Sequence, residues 1–240
     1  MTQTILFCLL TLIASGIGTA TGFGTSTVMI PILVLFVSVP VALLFVGVIH
    51  LCGDIWKVLL FRRGFDWKLI LFFGVSGIAA SFIGSSLSLQ AQTFPLKRIL
   101  GAFMISYVAF LLLRRDWAFP KTNATAVSGG VLSGFFAGFF GVGGAVRAAF
   151  LTAFHLPKEV YLFTSGLIAL FIDLTRVARY VWGGTRLEGN LPIGLAFSIP
   201  ISFLGAYLAK RFIDKLPQRH FRIFVGVFLA LVGLMLLVGI

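Results

Sequence analysis

"GFGTSTVMIPIL", residues Gly22 to Leu33, sets two glycines and a run of small residues, three of them hydroxylated, ahead of a proline in an apolar chain. A soluble enzyme can use such a turn to hold a phosphate on backbone amides, whereas a membrane protein uses it to break a helix. Composition decides between the two. The 240 residues are 59% hydrophobic and 11% charged, with a mean hydropathy of +1.09, far outside the soluble globular range.

Apolar stretches long enough to cross a hydrocarbon core of about 30 Å, at about 1.5 Å per helical residue, recur along the chain. The two-residue alternation of a transmembrane barrel is absent, so the spans read as helices and the fold class as an all-α polytopic membrane protein. The first apolar run, Thr4 to Ala20, lacks the basic flank of a signal peptide and reads as retained structure. Cys8 and Cys52 lie in apolar stretches without a Cys or His cluster at metal spacing, so no disulfide framework, metal site or cofactor is expected. The formal charge of +12 collects in short loops between apolar segments, which indicates membrane orientation and a bilayer partner, not nucleic acid.

The chain matches itself. An offset of 119 aligns Gly22 with Gly141, Gly24 with Gly143, Asp54 with Asp173, Lys57 with Arg176 and Gly64 with Gly183. A slightly larger offset aligns "SFIGSSLS" at Ser81 with "SFLGAYLA" at Ser202, and Pro95 with Pro217. The expected halves are residues 1–116 and 117–240, together one transmembrane domain. Thr11, Ser15 and Thr19 match Gly130, Gly134 and Gly138, a small-xxx-small stripe suited to close helix packing. Each half reads as a glycine-interrupted segment (Thr4 to Val39; Asn123 to Leu156) and three helices. These are Pro40 to Phe61, Trp67 to Leu89 and Leu96 to Leu113, then Lys158 to Val181, Leu191 to Ala209 and Phe221 to Val238.

Loop charge selects between a crossing and a re-entrant first segment. If the segment returns, Arg62, Arg63, Lys68, Arg114, Arg115, Lys121, Lys210, Arg211, Lys215 and Arg219 share one side, with mainly Lys97, Arg98 and Arg186 opposite. The positive-inside rule then gives three full crossings per half, both termini outside, and two halves of inverted topology.

Broken backbone at membrane depth must be covered by protein or line a wet cavity, because unsatisfied amides in hydrocarbon cost several kcal/mol each. Two matched breaks therefore predict a shared cavity. One helix would restart after Gly24 with the hydroxyls of Thr25, Ser26 and Thr27, the other after Gly143 and Gly144. Both would aim free amides and a partial positive charge at an anion. The plain alternative is that these glycines only permit tight packing.

The whole chain resembles the TauE/SafE family of sulfite and organosulfonate exporters. Gly22, Gly24, Pro31 and Leu33 fit the family's GxG-then-proline-leucine pattern. The second copy, "GVGGAVRAAFL", keeps Gly141, Gly143 and Gly144 but has Ala145 where a third glycine is common and Phe150 at the proline position. The resemblance implies plasma-membrane export of small sulfur-containing oxyanions such as sulfite or sulfoacetate.

Arg147 stands where the first half has Val28, and a charge near the bilayer centre costs about 2.5–3.5 kcal/mol unless it faces a cavity or a partner. Its guanidinium could bind a sulfonate or sulfite bidentately, pair with Asp173 or Asp54, or snorkel from the short helix to an interface. Asp54 with Lys57 and Asp173 with Arg176 are three apart on one helix face, as local ion pairs or as proton carriers and gates. His50, one turn before Asp54 on the same helix face, is of the residue type that could titrate near neutral pH. His155 and His220 sit near segment ends. The expected function is secondary transport, since no GxxxxGK[ST] motif is present for ATP-driven pumping. An anion channel and a membrane-embedded enzyme using His50, Asp54 and the Thr25 to Thr27 hydroxyls are the alternatives. A homodimer is compatible with the sequence.

Overall fold

A computed structural model describes residues 2–21, 24–60, 64–91, 93–113 and 119–212, with 227, 230–231 and 233–238. Every regular element among them is helical. In chain order these are α1 (Thr2–Thr21), α2 (Thr25–Leu33), α3 (Val39–Leu60), α4 (Trp67–Leu69), α5 (Val75–Gln90), α6 (Thr93–Leu113), α7 (Asn123–Phe140), α8 (Gly144–Leu151), α9 (Lys158–Trp182) and α10 (Leu191–Phe212). A π-turn at Ile70–Gly74 joins α4 to α5, giving one continuous helix from Trp67 to Gln90. That helix, Val39–Trp56, Glu159–Trp182 and Leu191–Leu208 are each long and apolar enough to cross a membrane. The expected helix from Phe221 falls mostly outside the described residues, as do Arg62, Arg63, Arg114 and Arg115.

Two compact units form. One is Met1–Leu43, Ala91–Trp117 and Leu187–Ile240, the other Leu44–Gln90 and Ala118–Arg186, so each draws on both halves of the sequence.

In the first unit α1 lies against α10. A Cβ at Gly205 would come within 2.5 Å of the Leu12 carbonyl and run into the Ser15 hydroxyl, so the backbones meet where glycine permits it. Thr11 Oγ1 donates to the Phe7 carbonyl at 2.7 Å and also lies 3.1 Å from Ser198 Oγ, a polar contact between neighbouring helices. Thr11 and Ser15 are buried while Ile5, Leu9 and Ile13 on the same helix are exposed. Such apolar-out, small-and-polar-in patterning suits a helix facing lipid, because the acyl chains are as apolar as leucine and close contact is what drives association.

The second unit repeats that logic with glycine in place of the hydroxyls. Along α7, Gly130, Gly134 and Gly138 press on the backbone of the Trp67–Gln90 helix at Phe73, Gly77 and Ser81 respectively, and Gly84 returns the contact at the Phe135 carbonyl. Any side chain in that stripe would collide with main chain, which cannot give way. Around the seam, Phe73, Phe150, Ile168 and Ile172 form the apolar core. Thr122 starts α7 by accepting the Thr125 amide at 3.1 Å. Asp66 starts the Trp67 helix in the same way, accepting from Leu69 N at 3.0 Å, while its own amide donates to Thr164 Oγ1 on α9.

Candidate functional site

Within the second unit, α3 and α9 bring four ionisable side chains together away from water. His50 Nδ1 lies 2.5 Å from Asp173 Oδ2 and 3.4 Å from Asp54 Oδ2, and Arg176 Nε donates to Asp173 Oδ1 at 2.6 Å. All four are buried, Asp54 completely. Asp173 and Arg176 meet because they are three apart on α9, and His50 and Asp54 because they are four apart on α3. Gly47, one turn before His50, faces α9: a Cβ there would press on Val177 Cγ2 at 3.0 Å and lie in ordinary contact with Arg176 Nη1 at 3.5 Å.

Two carboxylates, one guanidinium and one imidazole sum to zero charge when the imidazole carries a proton. Without that proton a net negative charge stays buried, which the low-dielectric interior penalises. His50, Asp54 and Asp173 each offer a ligand atom within 4.8 Å of the others. The guanidinium on Asp173 already supplies a compensating cation, so the set suits one proton better than a second cation. The side chain of Lys57 lies outside the described residues.

The second glycine break lies in the same unit. Gly141 adopts φ 72°, a left-handed conformation that favours glycine, and ends α7 with bonds from Gly141 N to the Ala137 carbonyl and from Val142 N to the Phe136 carbonyl. This closure spends the Gly141 and Val142 amides on the two carbonyls before Gly138, so neither reaches Gly138 C=O. Tyr180, fully buried one turn beyond Arg176 on α9, donates its hydroxyl to that carbonyl. Ser133 Oγ donates to the Gly143 carbonyl at 3.0 Å, which also accepts Arg147 N at 2.9 Å. Gly143 caps α8, and the helix restarts at Gly144 with no side-chain cap on its first amides.

Arg147 is buried on α8, and its Nε donates to Ser165 Oγ on α9 at 3.2 Å. The Tyr161 phenol lies within electrostatic range of the same guanidinium. Among the described residues no carboxylate bonds Arg147; Asp173, one of the two partners weighed from sequence, holds Arg176 instead. In the first unit Gly24 takes φ 85° and ψ 153°, open to glycine alone, and precedes α2 without a side-chain cap bond. Ser26 and Thr27 there are buried and Thr25 half-buried, while Gly22 lies outside the described residues.

The profile of a family described as sulfite exporter TauE/SafE matches residues 7–236. The chain belongs to the TauE/SafE sulfite exporter family. A protein of Methanocaldococcus jannaschii described as a "probable membrane transporter protein" is 24% identical to this TauE/SafE chain over 195 residues, covering 73% of this chain and 70% of that protein. No solved structure matches it. With its apolar spanning helices, this TauE/SafE protein is a multi-pass membrane transporter.

Ser133, Tyr161, Ser165 and Tyr180 were not singled out by motif, yet the sequence carries a signal for them. At the 119-residue offset they stand against Ala14, Ala42, Val46 and Phe61, and Arg147 against Val28. Each is polar where its match is apolar, and all five side chains lie in the second unit around the Gly141 break and α9.

Proposed function

We propose that this TauE/SafE protein is a secondary carrier that exports a small sulfur-containing oxyanion, sulfite or an organosulfonate such as sulfoacetate, and couples its movement to a proton. Arg147 carries the reading. A buried guanidinium beside the uncapped first turn of α8, bonded to a neutral hydroxyl, has no counter-charge bonded to it among the described residues, and burial of a cation demands one. An anionic substrate supplies it. The planar fork of arginine matches two oxygens of a sulfite or sulfonate, and the amides of Gly144 and Ala145 add a partial positive charge. Gly143 is absorbed by Ser133 and Gly141 by the turn, so they shape the break. Gly22, Gly24, Thr25 and Ser26 are assigned the equivalent role at the first break.

Coupling is assigned to His50, Asp54, Asp173 and Arg176, with Lys57 as the sequence match of Arg176. One proton neutralises the cluster and its loss leaves a buried negative charge. The two halves are read as inverted repeats with N-out and C-out topology.

The test is flux into liposomes containing the purified protein alone. Labelled sulfite or sulfoacetate should enter saturably, unchanged chemically, with trans-stimulation by unlabelled substrate. Single-channel currents without counterflow would contradict a carrier, chemical conversion of the substrate would indicate an enzyme, and transport of acetate with exclusion of every sulfur oxyanion would remove the substrate assignment.

A further inference from the structure

Asp173, Arg176 and Tyr180 occupy successive turns of one face of α9, and they end on two different things. Asp173 and Arg176 close the buried charge set with His50 and Asp54, whereas the Tyr180 hydroxyl ends on the Gly138 carbonyl in the last turn of α7. That turn sets where α8 begins and therefore where Arg147 sits. We propose that Tyr180 is a positioning residue that ties the protonation of the His50 cluster to the geometry of the Gly141 break. The inference rests on the anion-carrier reading only for what the break holds.

The charge balance gives the link a direction. His50 is faced by Asp54 on its own helix and by Asp173 and Arg176 on α9. Of the other elements packed on α9, the Ile70–Gly74 turn, α5 and α7 carry no titratable side chain, while α8 brings Arg147, whose Nε donates to Ser165 Oγ about two turns before Asp173. When the imidazole loses its proton, the carboxylate of α3 and that of α9 are left sharing one guanidinium, and their repulsion acts between the two helices. Arg176 has a way to answer it: its Nη1 is buried with no hydrogen-bond partner among the described residues, an open donor that a shift of α9 would let a carboxylate reach. Tyr180 is four residues further along the same helix, so a displacement of α9 pulls on the Gly138 carbonyl.

Rigidity on the other side makes the pull effective. Gly138 is wedged against the Ser81 backbone and the Ser133 hydroxyl holds Gly143, so strain falls on the short stretch between them. Phe61, the match of Tyr180 in the first half, has no hydroxyl, so the sequence builds this link once, in the unit that also contains His50 and Arg147.

The experiment is hydrogen–deuterium exchange of the full-length protein in lipid nanodiscs, following peptides across residues 136–147 at about pH 6 and about pH 10, a window wide enough for an imidazole held between two carboxylates, after correction for intrinsic rates. Sulfite binding is measured on the same samples. Wild type should exchange at the break about fivefold faster at the higher pH, where the imidazole has lost its proton, than at the lower, the effect of one neutral hydrogen bond. His50→Gln and Tyr180→Phe should each abolish that difference, with sulfite still bound by Tyr180→Phe. If Tyr180→Phe raises exchange equally at both pH values and the difference persists, the tyrosine is only a cap on the Gly138 carbonyl and the link is overturned. Absence of a pH response in wild type that still binds sulfite overturns the link and leaves the carrier reading intact, while loss of sulfite binding in wild type is the failure of that reading instead. If Tyr180→Phe does not fold, wild type against His50→Gln decides: an identical pH response in the two contradicts the link.

Discussion

His50 Nδ1 and Asp173 Oδ2 lie 2.5 Å apart although 123 residues separate them in the chain, so one imidazole joins α3 to α9 inside an apolar unit. Removing one member of a buried ionic pair leaves the other without compensation, at a typical cost of about 3–5 kcal/mol. Asp173→Asn and His50→Gln should each lower stability by an amount of that order, and the double variant by clearly less than the sum. Denaturant or thermal unfolding in detergent measures the cycle. Strict additivity would mean that the two side chains do not interact.

Asp54 reaches the same imidazole at 3.4 Å from within its own helix and is completely buried. Asp54→Asn keeps the shape and removes a charge, so the pH dependence of transport should flatten while substrate binding survives. Flux measured across a series of pH values, beside binding at one pH, separates the two effects. An unchanged pH profile would leave Asp54 as a structural member of the cluster.

Gly134 has no room for a side chain, because a Cβ there meets the backbone of Gly77 on the facing helix. Gly134→Ala should destabilise by about 1–3 kcal/mol despite the better helix propensity of alanine, since the collision is with main chain. Gly53, which has nothing within 4 Å of an added Cβ, provides the control, and Gly53→Ala should be neutral or stabilising. Equal stability changes at the two positions would contradict the glycine seam.

If both glycine segments are re-entrant, as the positive-inside rule favours, Arg63 and Arg115 lie on one side of the membrane. Single cysteines at the two positions should both react from the cytoplasmic face with an impermeant reagent. Labelling from opposite faces would require an interrupted segment that crosses, and the inverted arrangement would fall.

What the sequence could reveal followed physical scale. Helix positions were legible because apolar runs and loop charges impose them: expected starts at Trp67, Asn123, Lys158 and Leu191 coincide with those of the structure. The pairing of Asp173 with Arg176 was legible because three-residue spacing on a helix is local. The joining of His50 to Asp173 was not, since it depends on which helices meet. Tyr180 escaped notice because a tyrosine in an apolar helix has an ordinary core role, and its importance comes from a carbonyl in the last turn of α7, forty-two residues earlier. The polar-for-apolar differences between positions 119 apart are the nearest that sequence comes to marking it.

Arg147 carries the central claim, and direct binding to purified variants tests it. Sulfite and sulfoacetate affinities of wild type, Arg147→Lys and Arg147→Ala should be measured by calorimetry or ligand-induced thermal stabilisation, with folding checked for each. The account predicts that Arg147→Ala loses about 1.5–3 kcal/mol of binding, the range for a charged hydrogen bond, and that Arg147→Lys, which keeps the charge but loses the planar fork, loses less. Wild-type affinity for every sulfur oxyanion in a folded Arg147→Ala protein would contradict it.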